Sequence, residues 1–98
     1  MSCEAVCDEG KLTIYLSGKC SYELWTEPKK LLMAGSYTIN ECEVDFSKAS
    51  FIDSAGIGSL LALREMLGEN VQIVLSHTND IIHEVLKIAQ VERMFKVD

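Results

Sequence analysis

Proline is nearly missing from this sequence, which has only Pro28. A proline-rich linker is therefore excluded, and with no other composition break, residues 1–98 are expected to form one domain. Long apolar runs are missing too. No uninterrupted one exceeds the four residues of 60–63, against the ~20 residues that a membrane-spanning helix needs, so no membrane insertion is expected. The opening, MSCEAVCDEG, has neither the basic nor the apolar stretch of a secretory signal, so a cytoplasmic location is expected. Positive charge is scarce. Nine Lys and Arg stand against fifteen Asp and Glu, a net charge of −6. A surface of that sign repels phosphate backbones and anionic lipid heads, which argues against direct nucleic-acid or membrane-surface binding.

Metal and cofactor motifs are also lacking. The four cysteines, Cys3, Cys7, Cys20 and Cys42, show no zinc spacing and follow no export signal, so they are expected as reduced thiols. Cys3 and Cys7 form C-x₃-C without a second pair, and buried thiols act as small hydrophobes. His77 and His83 are read as surface residues. Neither GxxxxGK[ST] nor GxGxxG after a strand occurs, so no cofactor is expected and any phosphoryl chemistry must come from a partner.

What is present is an alternation of strand and helix patterns. Cys3, Ala5 and Cys7 alternate with other residues, and Asp8-Glu9-Gly10-Lys11 reads as a tight turn. Leu12, Ile14 and Leu16 then continue a half-buried strand ended by Gly18. A helix is expected over 22–35, with Pro28 in its first turn if Thr26 is the cap. Residues 41–46 alternate Cys42, Val44 and Phe46 inward, and a polar loop is expected over 47–50. Ile57, Leu60, Leu61, Leu63, Met66 and Leu67 give a helix stopped by Gly68. Residues 71–75 read as an interior strand buried on both faces. Ile81, Ile82, Val85, Leu86, Ile88 and Ala89 give a last helix, after which Phe95 and Val97 return to the sheet edge. The expected fold class is α/β: a mixed sheet of four or five strands with about three to four helices mainly on one side.

The most informative stretch is 51–61, FIDSAGIGSLL. Asp53 and Ser54 stand where a loop hands over to a helix, and serine is among the best residues for capping the first-turn amides. Gly56 and Gly58 each cost ~0.8–1.0 kcal/mol of helix propensity relative to alanine. With Ala55 they leave a bare surface around the Ser54 hydroxyl that another protein's backbone or a nucleotide phosphate can approach. The plainer reading is a helix cap with glycines that permit close packing on the sheet. A serine hydrolase is disfavoured, because Ile52 replaces the first glycine of G-x-S-x-G and only His77 and His83 could serve as base.

The segment Ile52-Asp53-Ser54-Ala55-Gly56-Ile57-Gly58 resembles the signature of STAS domains, the fold of bacterial anti-sigma factor antagonists. Ser17-Gly18 before the first helix and Val44-Asp45-Phe46-Ser47 before the motif resemble that family's companion pieces, so the likeness covers essentially the whole chain. It implies a non-enzymatic phosphoswitch protein with no catalytic residues and no metal. Ser54 matches the phosphoacceptor, and Asp53, Ser54, Ala55, Gly56, Gly58 and Ser21 are implied partner-binding residues. The implied partners are an anti-sigma factor that is itself a serine kinase, and a phosphatase. Two departures stand out. Ala55 replaces a second hydroxyl found in many members, and Lys19-Cys20-Ser21 stands where many carry an acidic residue. The rival reading is a docking subunit of a lipid-transport ATPase with no phosphorylation cycle.

Overall fold

The computed structural model describes residues 2–20 and 39–97. In chain order these form β1 (Ser2–Asp8), β2 (Lys11–Cys20), β3 (Glu41–Ile52), α1 (Ser54–Leu67), β4 (Gln72–Ser76) and α2 (Asp80–Ile88). A 3₁₀ turn (Val91–Arg93) and β5 (Lys96–Val97) follow. The helix expected over 22–35, and Ser21 beside it, lie outside the described residues.

The five strands form one sheet in the order β1-β2-β3-β4-β5. β1 and β2 pair antiparallel, with Asp8 opposite Lys11, while β2–β3, β3–β4 and β4–β5 are parallel. Glu9 and Gly10 make the two-residue hairpin loop with φ of 49° and 84°. Positive φ at both positions is what a type I′ turn requires, and it matches the strand twist. β3 and β4 are joined through α1, and β4 and β5 through α2, as a parallel connection demands. Leu12, Ile14, Leu16, Cys42, Val44, Phe46, Ile73 and Leu75 face Leu60 and Leu63 of α1 and Ile82 and Leu86 of α2 in one buried cluster. Both described helices therefore cover the same face of the sheet.

The structure corrects the sequence reading in three places. First, β2 does not end at Gly18, and 47–50 is not a loop: both strands continue, to Cys20 and Ile52. The cause is a pair of register shifts. Tyr15 pairs with Asp45 but Ser17 pairs with Lys48, and Gly18 pairs with Ala49 but Lys19 pairs with Phe51. Each shift inserts one extra residue into β3, so its buried positions change from spacing two (Cys42, Val44, Phe46) to spacing three (Phe46, Ala49, Ile52). Bulging of this kind breaks the alternation without breaking the strand. Gly18 accommodates it with φ of 74°. Second, β4 is interior, between β3 and β5, but it is not apolar on both faces. Ile73 and Leu75 are buried, Val74 is half-buried and Gln72 is exposed, because α1 and α2 cover only the Ile73 side. Third, α1 buries Gly56, Ser59, Leu60 and Leu63, whereas Leu61 and Met66 are exposed.

The end of α1 is fixed by its own sequence. Gly68 takes φ of 84° and donates its N–H to the Arg64 carbonyl. The Arg64 guanidinium donates to the carbonyls of Gly68, Val71 and Met94, fastening the turn into β4 and the segment before β5. On the other sheet face, the Ser76 hydroxyl donates to Glu43 Oε2 at 2.6 Å, and Lys11 Nζ lies 3.3 Å from Glu43 Oε1. These partners, Ser76 foremost, hold the Glu43 carboxyl below its ordinary range. The stability they confer is present above its unfolded pKa and is lost as pH falls through the depressed value.

The Cys42 thiol points into the core, and burial pushes its pKa up to about 12, with Arg64 opposing the rise. The thiolate is the reactive form. Cys42 is therefore expected to resist iodoacetamide at pH 8 in the native protein and to react once urea unfolds it. Peptide mapping after alkylation reads this directly; labelling of native Cys42 as fast as of an exposed thiol would contradict its placement.

Candidate partner-binding site

The handover from β3 to α1 divides two jobs between neighbouring residues. Asp53 is the N-cap, in an extended conformation, and its Oδ1 accepts the Gly56 N–H at 2.8 Å. Ser54 is then the first helical residue, and it is exposed. Residue preference alone leaves the capping chemistry open between Asp53 and Ser54. The structure assigns it to Asp53, and among the described residues no hydrogen bond engages the Ser54 hydroxyl. The first turn of α1 contains no acidic residue, so the helix's own side chains do not compensate its positive end, and Asp53 does so from the N-cap.

Of the other expected site residues, Ala55 and Gly58 are exposed, Gly56 is buried and Asp53 is half-buried. Gly56 thus fits the packing explanation. Gly58 does not: among the described residues, a methyl group there would meet nothing within 4 Å. Gly58→Ala should therefore stabilise the protein by up to ~1 kcal/mol through helix propensity. Urea unfolding checks this; a loss of stability would show that the glycine is needed by the fold itself.

The structure adds residues that are not among the expected site residues, most of them outside the motif. Ile57, Val85, Ile88 and Ala89 join Ser54 in lining a groove of about 310 Å³ between α1 and α2. The signal for it lies in α2. That helix carries more apolar side chains than one stripe can bury, and with Ile82 and Leu86 inside, Ile81 and Ile88 remain 59% and 74% exposed. Asn79 sets the position of α2: its Oδ1 caps the helix by accepting the Ile82 N–H at 2.8 Å, while Nδ2 donates to the Ala49 carbonyl at 3.2 Å. The bulged end of β3 thereby anchors the helix that forms one wall of the groove. Lys19, which the sequence marks only as a departure, places its Nζ 3.8 Å from Asp53 Oδ2. This exposed pair is worth at most ~1 kcal/mol, but it sets a positive charge beside the cap.

Residues 3–98 match the family described as STAS domain. The chain belongs to the STAS domain family. A STAS-domain containing protein of Pseudomonas aeruginosa is 30% identical over 91 residues, covering 92% of this chain and 90% of the relative. The fold of this STAS domain is similar to that of the anti-sigma factor antagonist SpoIIAA in its unphosphorylated form. The TM-score is 0.73 at 13% identity, over 99% of this chain and 88% of that one. It is similar also to a sulfate transporter family protein from Wolinella succinogenes, with a TM-score of 0.75 at 18% identity over 94% and 79% of the two chains. Among the described residues, no helix is long and apolar enough to cross a membrane.

Proposed function

We propose that this STAS domain is an anti-sigma factor antagonist-type switch: one domain over residues 1–98, acting in the cytoplasm as a binding module and not as an enzyme. Unmodified, it binds an anti-sigma factor or related serine kinase through the start of α1 and the α1–α2 groove. The kinase phosphorylates Ser54 and binding ends, until a phosphatase restores the hydroxyl. The observation that carries the reading is the position of Ser54. It is exposed at the first helical residue, relieved of capping by Asp53, and set on the rim of an apolar groove. A kinase can reach a hydroxyl so placed, and a phosphate formed there abuts the surface a partner must cover.

The likeness to a sulfate transporter family protein favours a second reading, in which the same groove docks permanently on a transport protein. Mass spectrometry of the protein isolated from its own cells separates the two. Stoichiometric phosphate on Ser54 that changes with growth condition supports the switch. A Ser54 that stays unmodified in every condition, in a chain that copurifies with a transporter, supports docking.

A further inference from the structure

We propose that Glu43, Asp45 and His77 form a binding site for a divalent transition-metal ion on the face of the sheet opposite the Ser54 groove. Along β3, Glu43 and Asp45 alternate with the buried Cys42, Val44 and Phe46, so they point away from α1 and α2. His77 follows the last residue of β4, where Ser76 pairs with Asp45 in the sheet register. One ligand atom from each of the three residues lies within 4.8 Å of the others. Three donors bound to one ion at ~2.0–2.2 Å stand roughly 3.3–3.8 Å apart, so side-chain movement of about 1.5 Å at most closes the set.

Two backbone irregularities meet at this cluster. The first bulge of β3 falls directly after Asp45 and turns the Ser47 N–H onto Asp45 Oδ1 at 2.8 Å. His77 adopts φ of 57°, which directs the chain out of the strand beside β3. Both carboxylates are also steadied in the way metal ligands usually are. Ser76 Oγ holds one Glu43 oxygen at 2.6 Å, and Ser47 N–H holds one Asp45 oxygen. Each carboxylate oxygen carries two acceptor positions, so these bonds leave positions for an ion. One imidazole with two carboxylates suits manganese, zinc or nickel, whereas calcium prefers oxygen ligands alone. Lys11, 3.3 Å from Glu43 Oε1, is the competing cation. The dication must displace it, which marks this as a site of modest affinity that Lys11 tunes.

The chain has two histidines, so Mn²⁺ titration followed by proton NMR contains its own control. His83 lies on α2 with Asp80 and Glu84 nearby in sequence and is also exposed. Expected is selective broadening of the His77 imidazole signals at substoichiometric Mn²⁺, with His83 unaffected. Asp45→Asn and, separately, Glu43→Gln should weaken binding at least tenfold with the amide spectrum otherwise preserved, while Lys11→Gln should tighten it. The proposal fails if both histidines broaden in parallel, if no broadening occurs, or if neither carboxamide variant shifts the apparent Kd by more than twofold.

Discussion

Phosphate on Ser54 should weaken partner binding at least about 100-fold while leaving the domain folded. Two local energies set the sign of each effect. Within the domain, the new anion arrives at the first residue of α1, whose first turn has no acidic side chain. The helix dipole favours an anion there by ~0.3–1 kcal/mol. Lys19, 3.8 Å from Asp53, already offsets the neighbouring carboxylate. The fold is therefore not strained by the modification. At the partner surface the balance reverses. A phosphoserine adds ~1.5–2 negative charges at neutral pH, beside Asp53, on a chain of net charge −6. It does so on the rim of a groove whose other lining residues are Ile57, Val85, Ile88 and Ala89. A partner that fills this groove must strip water from the phosphate, at a cost of several kcal/mol unless it supplies a matching cation. About 2.7 kcal/mol is already a hundredfold. Ser54→Asp should give a smaller loss, because aspartate is shorter and less charged, and Ser54→Ala should bind as tightly as the unmodified protein. Calorimetric titration of the identified partner with all four forms is the measurement. Equal affinities would remove the switch and leave permanent docking.

Much of this arrangement is legible in the amino-acid sequence. The hairpin, the parallel strands, the helix starting near Ser54 and the Gly68 stop all follow from local periodicity and turn chemistry, which tertiary contacts do not override. What is not legible is set by contacts between distant segments. The shift of β3 from spacing two to spacing three depends on its register with β2. Nothing in the polar stretch Ser47-Lys48-Ala49-Ser50 alone distinguishes a bulged strand from a loop. The second wall of the groove depends on Asn79 reaching the Ala49 carbonyl, a contact across 30 residues. The Glu43–Asp45–His77 cluster likewise spans two strands, so no motif spacing announces it. Which of Asp53 and Ser54 caps the helix is a matter of one residue that preference does not settle, but it decides whether the serine is occupied or available.

Phe46→Ala should destabilise the protein by ~3–5 kcal/mol, whereas Phe51→Ala should cost less than ~1 kcal/mol. The two phenylalanines lie on the same strand and look alike in the sequence, but one is buried and the other exposed. Phe46 is the last inward residue before the first shift, 1% exposed within the cluster of Ile14, Val44 and Leu60. Its truncation removes a large buried side chain and leaves a cavity in a core where side chains fit closely. Phe51 lies past the second shift, opposite Lys19, and is 40% exposed, so its truncation leaves no closed cavity. In a protein of this length each kcal/mol moves the midpoint by ~4–8 °C. The first variant should then melt at least about 12 °C below the wild type, and the second within a few degrees of it. Were the strand to keep a strict two-residue alternation beyond Phe46, the inward positions would be 48, 50 and 52, and Ala49 would face outward. Ala49→Lys is thus the companion test. It buries a charge in the bulged register and costs several kcal/mol, but it is harmless if 47–50 is an exposed loop. Urea titrations of the three variants read these placements: a tolerated Ala49→Lys would overturn the bulged β3 and the anchoring of α2 that depends on it, and a Phe51→Ala as damaging as Phe46→Ala would contradict the exposure of Phe51.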